Sequence, residues 1–220
     1  MRYEAVVFDN DGVLTEITDW DVLRAAAHGA FDAFGVDPSD DDLRAILSHV
    51  TVDGLEAVCA RHGLDPEEFW HRRDTNYTEA QQAEVLDGRK PLYDDVDAAL
   101  ALDVPKGIVS SNQHATIECI LDHYDLREHF ETYYGRQPTV EDVRRKKPEP
   151  YFIERALSDL GVEVEDALYV GDSEGDVVAA HAAGTDSAFL WREHRADYDL
   201  SVEPTHELSG LADLPDVVER

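Results

Sequence analysis

The chain has 220 residues with 43% hydrophobic content, enough for one sizeable domain or a domain with an insertion, and too apolar for disorder to explain its charge. Its 49 acidic residues against 19 basic ones give a formal net charge of -30, which disfavours nucleic acid as a partner because phosphate backbones require a basic face. The acid is spread over the whole length instead of forming a docking tail, and reads as the surface of a halophilic protein whose self-repulsion is screened by a salt-loaded cytoplasm.

The chain opens Met1-Arg2-Tyr3-Glu4 and enters an apolar run at once, leaving no room for a signal peptide. No run approaches the roughly 18 apolar residues of a membrane span, so a cytoplasmic protein with no membrane partner is expected. The run Ala5-Val6-Val7-Phe8 reads as a buried strand of a parallel sheet, ending abruptly in Asp9-Asn10-Asp11-Gly12-Val13-Leu14. Ligands of such sheets bind just outside the carboxyl ends of the strands, so two carboxylates there suggest a nucleophile and a metal site. Asp-Gly between apolar runs is also a strong hairpin signal, and taken alone the segment reads equally as a turn or a site. A calcium loop fails on spacing, since Trp20 stands where a bidentate Glu is needed.

From Trp20 to Phe34 apolar residues recur every three or four positions, the pattern of one helix face, with Asp19 as its cap. Ser39 and Asp40 to Asp42 signal the start of a second helix through Leu43, Ile46 and Leu47. Gly54 to Arg61 and Pro66 to Tyr77 read as two more. Residues 16–86 therefore look all-helical, inserted after the first strand. Past Gly88 the pattern changes to alternation: helix Val96–Leu102, strand Gly107–Val109, a turn at Ser110-Ser111-Asn112, and a helix with Ile117, Ile120 and Leu121. A helix containing Phe152, Ile153, Ala156 and Leu157 stops at Gly161. Strand Ala167–Val170, the turn Gly171–Asp176, a helix to Gly184 and a last strand Ser187–Leu190 complete the pattern. Such alternation implies right-handed crossovers and a parallel sheet. The expected architecture is α/β, a three-layer Rossmann-like core over 1–15 and 87–220 with a helical cap over 16–86. Cys59 and Cys119 lie far apart outside any Cys/His cluster and read as reduced thiols.

Four segments now place polar groups at strand ends or in adjacent turns, in order: Phe8-Asp9-Asn10-Asp11-Gly12, Ile108-Val109-Ser110, Lys147-Pro148-Glu149-Pro150 and Gly171-Asp172-Ser173-Glu174-Gly175-Asp176. Together they resemble the four motifs of the haloacid dehalogenase-like hydrolase superfamily, and the resemblance extends over the whole chain. It implies that Asp9 is a nucleophile forming an aspartyl-phosphate and that Asp11 carries the proton. It also implies a magnesium ion on Asp9, the Asp11 backbone carbonyl and Asp172, with Asp176 a further ligand or a residue behind them. Ser110, with backbone N–H groups of Asn10, Asp11, Ser111 or Asn112, would hold the phosphoryl oxygens, and Lys147 would offset their charge.

Asp11 argues for phosphoryl chemistry over dehalogenation, because a halide leaving group needs no proton. The resemblance is nearest to the phosphoglycolate phosphatase-like subgroup, hydrolysing a small phosphorylated metabolite as monomer or homodimer. A mutase of the β-phosphoglucomutase type would place a histidine where Asp21 stands and is disfavoured; a catalytically idle binding member is the other alternative. Lys146 competes with Lys147 as the motif lysine, Asp176 could simply cap its helix, and His114 reads as a helix-entry residue. Trp20, Arg44, His49, Thr51 and Arg61 in the insertion are candidate substrate contacts.

Overall fold

The computed structural model describes residues 3–219; Met1, Arg2 and Arg220, assigned above to the core, lie outside the described residues. Strand β1 (Ala5–Phe8) is buried throughout, as four apolar residues require of a strand covered on both faces. Helices α1 (Trp20–Asp32), α2 (Asp40–Leu47), α3 (Val52–His62) and α4 (Pro66–Leu86) follow with no strand between them. Their starts follow from local chemistry. Asp19 accepts from the Asp21 N–H at 2.7 Å, Ser39 and Asp42 form a reciprocal capping box, Thr51 caps α3, and Asp65 with Pro66 opens α4. Helix α4 runs on past Tyr77 to Leu86, because Ala, Gln and Glu are good helix formers although they add no apolar stripe.

Beyond the insertion the order is α5 (Val96–Leu100), β2 (Lys106–Gln113), α6 (His114–His123), β3 (Thr132–Arg136), α7 (Val140–Arg145) and α8 (Tyr151–Leu160). Then come β4 (Ala167–Gly171), α9 (Glu174–Ala183), β5 (Asp186–Leu190), β6 (His206–Leu208) and α10 (Leu214–Val218). The sheet has six parallel strands in the order β3-β2-β1-β4-β5-β6. Two of them were not expected: β3 and β6, the two edges. An edge strand has one neighbour and partial exposure, so Thr132-Tyr133-Tyr134-Gly135-Arg136 and His206-Glu207-Leu208 lack the all-apolar signature of the centre. Strand β2 is also longer than expected, carrying Ser110, Ser111 and Asn112 within it instead of in a following turn.

The pleat divides the core into two layers. Val6, Phe8, Ile108, Leu168 and Val170 face a cluster with Ile117 and Leu121 of α6 and Leu214 and Val218 of α10. Val7, Val109 and Tyr169 face the other way, onto Phe152, Ile153 and Ala156 of α8 and Ala179 and Ala180 of α9. The helical insertion encloses a third cluster built on Phe31, Ile46, Leu55, Phe69 and Trp70, and Val140 and Val143 of α7 plug into it from the sheet side. Strand order reverses around β1, which is flanked by β2 and β4, so the crevice at a topological switch point opens beyond Asp9.

Candidate active site

Asp9 follows the last residue of β1, its N–H held by the Val170 carbonyl at 2.8 Å. The next residues turn tightly: the N–H groups of Val13, Leu14 and Thr15 all donate to the Asn10 carbonyl at 3.2, 2.9 and 3.0 Å. Gly12 makes this turn possible. Its φ of 82° lies in the left-handed region, and a Cβ there would collide with the Asp172 carboxylate. Gly171 is needed for the same kind of reason, since its Cβ would overlap Asp176. Two motif glycines thus let neighbouring carboxylates crowd one crevice.

Lys147 joins two of those carboxylates. Its buried Nζ lies 2.9 Å from Asp9 Oδ1 and 2.6 Å from Asp176 Oδ1, and donates to the Tyr169 hydroxyl at 2.7 Å. Tyr169 in turn donates to the Val109 carbonyl at 2.7 Å, tying the lysine to β2. This geometry makes Lys147, and not Lys146, the lysine of the crevice. Burial opposes the charge on Lys147, yet Asp176 and Asp9 outweigh it and hold the ammonium above its usual range. Asp9 moves the other way. Burial is the main cause, Lys147 works against it, and repulsion from Asp176, Asp172 and Asp11 adds to it, raising the carboxyl to about 7.

Asp176 does two things at once. Its Oδ2 accepts from Ser173 N–H at 3.0 Å and Ser173 Oγ–H at 2.6 Å, capping α9, while its Oδ1 faces Lys147. Asp172 is held by residues that sequence reasoning missed: His194 Nε2 at 2.7 Å and the donating Arg195 Nε at 3.0 Å, both on Oδ2. A histidine and an arginine just past the carboxyl end of β5 were the available signal.

Asp9, Asp172 and Asp176 offer one oxygen each, all within 4.8 Å of one another and all buried. Among the described residues no hydrogen bond reaches Asp9 Oδ2 or Asp172 Oδ1, whereas both oxygens of Asp176 are engaged. An all-oxygen set of three buried carboxylates within reach of one another fits a hard divalent cation. Asp9 and Asp172 have oxygens to give it; Asp176 sits one step behind.

The side chain of Asp11 does not join that cluster. It accepts from Asn112 Nδ2 at 2.9 Å and is ion-paired with Lys90, which sequence reasoning did not single out. Lys90 is fully buried and stands where the helical insertion returns to the sheet. Burial opposes the charge on Asp11, but Lys90, Asn112 and Asn10 outweigh it and lower its pKa. Ser110 is buried near the end of β2, its Oγ accepting the Asn112 N–H at 3.2 Å, which leaves its own proton to donate. Asn10 is buried too: its N–H reaches Asp9 Oδ1 at 2.7 Å, and its Oδ1 has no hydrogen-bond partner. The Ser111 carbonyl accepts from Arg136 Nε at 2.7 Å.

Three of the five candidate contacts in the insertion are engaged within it. Arg44 pairs with Asp41, Thr51 caps α3 and Arg61 holds Asp42, all inside the insertion, and Trp20 is exposed on α1. His49 has a φ of 50° in the α2–α3 loop. His114 opens α6, accepts from the Gly135 N–H at 3.2 Å and stacks on Tyr133, as a helix-entry residue would. A cleft of about 320 Å³ lined by Glu16, Ile17, Tyr93, Glu193 and His194 opens beside Asp172.

A haloacid dehalogenase-like hydrolase model matches residues 3–184. The chain belongs to that family. A pyrophosphatase PpaX of Anoxybacillus flavithermus is 28% identical over 97% of this chain and 96% of its own length. A phosphoglycolate phosphatase of Neisseria meningitidis is 28% identical over 82% and 77% respectively. Among solved structures, CbbY from Rhodobacter sphaeroides in complex with phosphate superposes with a TM-score of 0.72 over 96% of both chains at 22% identity, a likeness of fold. Among the described residues no helix of this hydrolase is long and apolar enough to cross a membrane.

Proposed function

We propose that this hydrolase is a magnesium-dependent phosphomonoesterase that cleaves a small phosphorylated metabolite through an aspartyl-phosphate on Asp9. The observation that carries the reading is the placement of the Asp9 carboxylate: at the carboxyl end of β1, 2.9 Å from the Lys147 ammonium and within the three-carboxylate cluster. Relatives named for phosphoglycolate and pyrophosphate support phosphoryl chemistry at such a site.

Asp9 Oδ attacks phosphorus, the ester P–O bond breaks, and the leaving oxygen takes a proton from Asp11. Water then gives its proton to Asp11 and attacks the acyl phosphate, releasing inorganic phosphate and restoring Asp9. The Lys90 contact favours the ionised form of Asp11 that this second step uses. Lys147 offsets the charge that otherwise sets two anions against each other, and Ser110 Oγ–H with the Asp11 N–H binds phosphoryl oxygens, since the Asn10 N–H is taken by Asp9 Oδ1 and the Asn112 N–H by Ser110 Oγ. Mg²⁺, held by Asp9, Asp172 and the Asp11 carbonyl, would supply further charge neutralisation and orientation. Asp176 fixes Lys147. The insertion over 16–86 serves as a cap that keeps bulk water from the intermediate.

A panel of phosphate esters and pyrophosphate, assayed with Mg²⁺ at molar salt beside Asp9→Asn, tests this. Phosphate released by the wild type and lost in the variant is the expected result. Sugar phosphate isomerised without release would make the protein a mutase, and an inert wild type would overturn the phosphatase reading.

A further inference from the structure

Asp11 is one member of a closed ring of hydrogen bonds. Lys90 Nζ meets Asp11 Oδ1 and donates to Thr18 Oγ1 at 3.0 Å. Thr18 Oγ1 donates to Gln81 Oε1 at 3.1 Å, Gln81 Nε2 donates to Asn112 Oδ1 at 2.8 Å, and Asn112 Nδ2 returns to Asp11 Oδ2 at 2.9 Å. The ring is braced internally. Asn112 Nδ2 also donates to Gln81 Oε1 at 2.8 Å, and Gln81 Nε2 also reaches Gln113 Oε1 at 2.9 Å. The third Lys90 proton goes to the Glu16 carbonyl at 2.9 Å.

The origin of the members matters more than their number. Gln81 sits on α4 of the helical insertion, Thr18 on the segment entering it, Lys90 on the segment leaving it, Asp11 in the turn after β1, and Asn112 on β2. The entering and leaving segments are themselves paired, through Glu16 N–H to the Pro91 carbonyl at 2.9 Å and Tyr93 N–H to the Leu14 carbonyl at 3.0 Å. They form a two-stranded hinge with Lys90 at its end. Any swing of the insertion about this hinge must break the Gln81–Asn112 bonds. Asn112 Nδ2 is shared between Gln81 and Asp11, so it is then released to turn away from the acid.

A fully buried lysine is costly to desolvate, and a methionine would fill the same space without that penalty. The chain has four lysines, and this one is spent on a residue of the active site and two groups of the hinge. We propose that Lys90 and Gln81 are positioning residues: they hold the Asp11 carboxylate in the orientation for proton transfer only while the insertion is seated on the sheet. The inference rests on the reading of Asp11 as the proton carrier. It makes acid–base competence a consequence of cap closure, so that the intermediate is not hydrolysed, nor a leaving group protonated, with the site open.

The test compares two leaving groups. p-Nitrophenolate departs without a proton, whereas an alkoxide needs one, so a misplaced Asp11 harms the two esters unequally in the first step. For Lys90→Met, kcat on the best alkyl phosphate should fall about 100-fold with KM changed less than about threefold. The rate of the first p-nitrophenol release, followed by stopped flow, should stay within about threefold of wild type and appear as a burst, because the second step still requires Asp11. Gln81→Leu, which leaves Lys90 in place and keeps the test alive should Lys90→Met not fold, should show the same inequality at about tenfold. Equal losses on both esters, or an alkyl phosphate kcat within threefold of wild type in both variants, would overturn the proposal. A wild type inert on both esters would instead overturn the phosphatase reading, and this inference with it.

Discussion

Binding of a divalent cation should release a proton, and the amount is set by Asp9. Burial, with repulsion from three nearby carboxylates, holds this carboxyl at about 7, so near neutral pH it is a mixture of acid and anion. A hard cation binds the anion, and the proton must leave. With that pKa, about 0.9 proton per metal should be released at pH 6, about 0.5 at pH 7 and about 0.1 at pH 8. Apparent metal affinity should rise nearly tenfold per pH unit below 6 and flatten above 8. Calorimetric titration of Mg²⁺ in two buffers of different ionisation enthalpy measures the proton count directly. Asp9→Asn removes the titrating group and should abolish the release at pH 6. Release below about 0.2 proton at pH 6 in the wild type would refute the reasoning, because the buried carboxyl would then already be ionised or not be a ligand. The same shift has a sign in stability. A carboxyl raised in the folded state favours folding while protonated, so the metal-free protein has this contribution in full below pH 4. It loses it as pH rises through about 7, by at most about 4 kcal/mol for a shift of this size.

Three further outcomes are expected. Asp74 is completely buried between Arg73 at 2.8 Å and Arg136 at 2.6 Å, so Asp74→Asn leaves two buried guanidiniums without a counter-charge and should cost about 3–5 kcal/mol in urea unfolding; a loss under about 1 kcal/mol would contradict this. Asp42 is held well below the usual carboxylate range by Arg61, Ser39 and His62 against the cost of burial. Its stabilisation is present above pH 4 and lost as pH falls below that, and Asp42→Ala should cost about 1–2 kcal/mol at pH 7 and progressively less on acidification. With a net charge of -30, moving from molar to about 10 mM KCl lengthens the screening distance from about 3 to about 30 Å and should lower Tm; an unchanged Tm would remove the salt-loaded-cytoplasm reading.

Much of this molecule was legible in its residues one after another. Ala5 to Phe8 and Ala167 to Val170 announce central strands because a strand covered on both faces must be apolar on both. Ser39 with Asp42, and Asp65 with Pro66, announce helix starts because capping is a contact between near neighbours. Asp9, Asp172 and Asp176 could be nominated because each follows such a strand, and a parallel sheet brings strand ends to one edge, whereas Lys147 lies in the loop between α7 and α8 and was nominated only by the resemblance of its Lys-Pro-Glu-Pro segment. Interactions between residues distant in sequence leave no such trace. Edge strands β3 and β6 are defined by having one neighbour, which only the assembled sheet specifies. Lys90 meets Asp11 across 79 residues, and His194 meets Asp172 across 22. Nothing in the local pattern of either segment encodes a partner elsewhere in the chain, so the sequence by itself determined where carboxylates follow buried strands, and the fold decided which cations hold them, raising the pKa of Asp9 by burial and lowering that of Asp11 through Lys90.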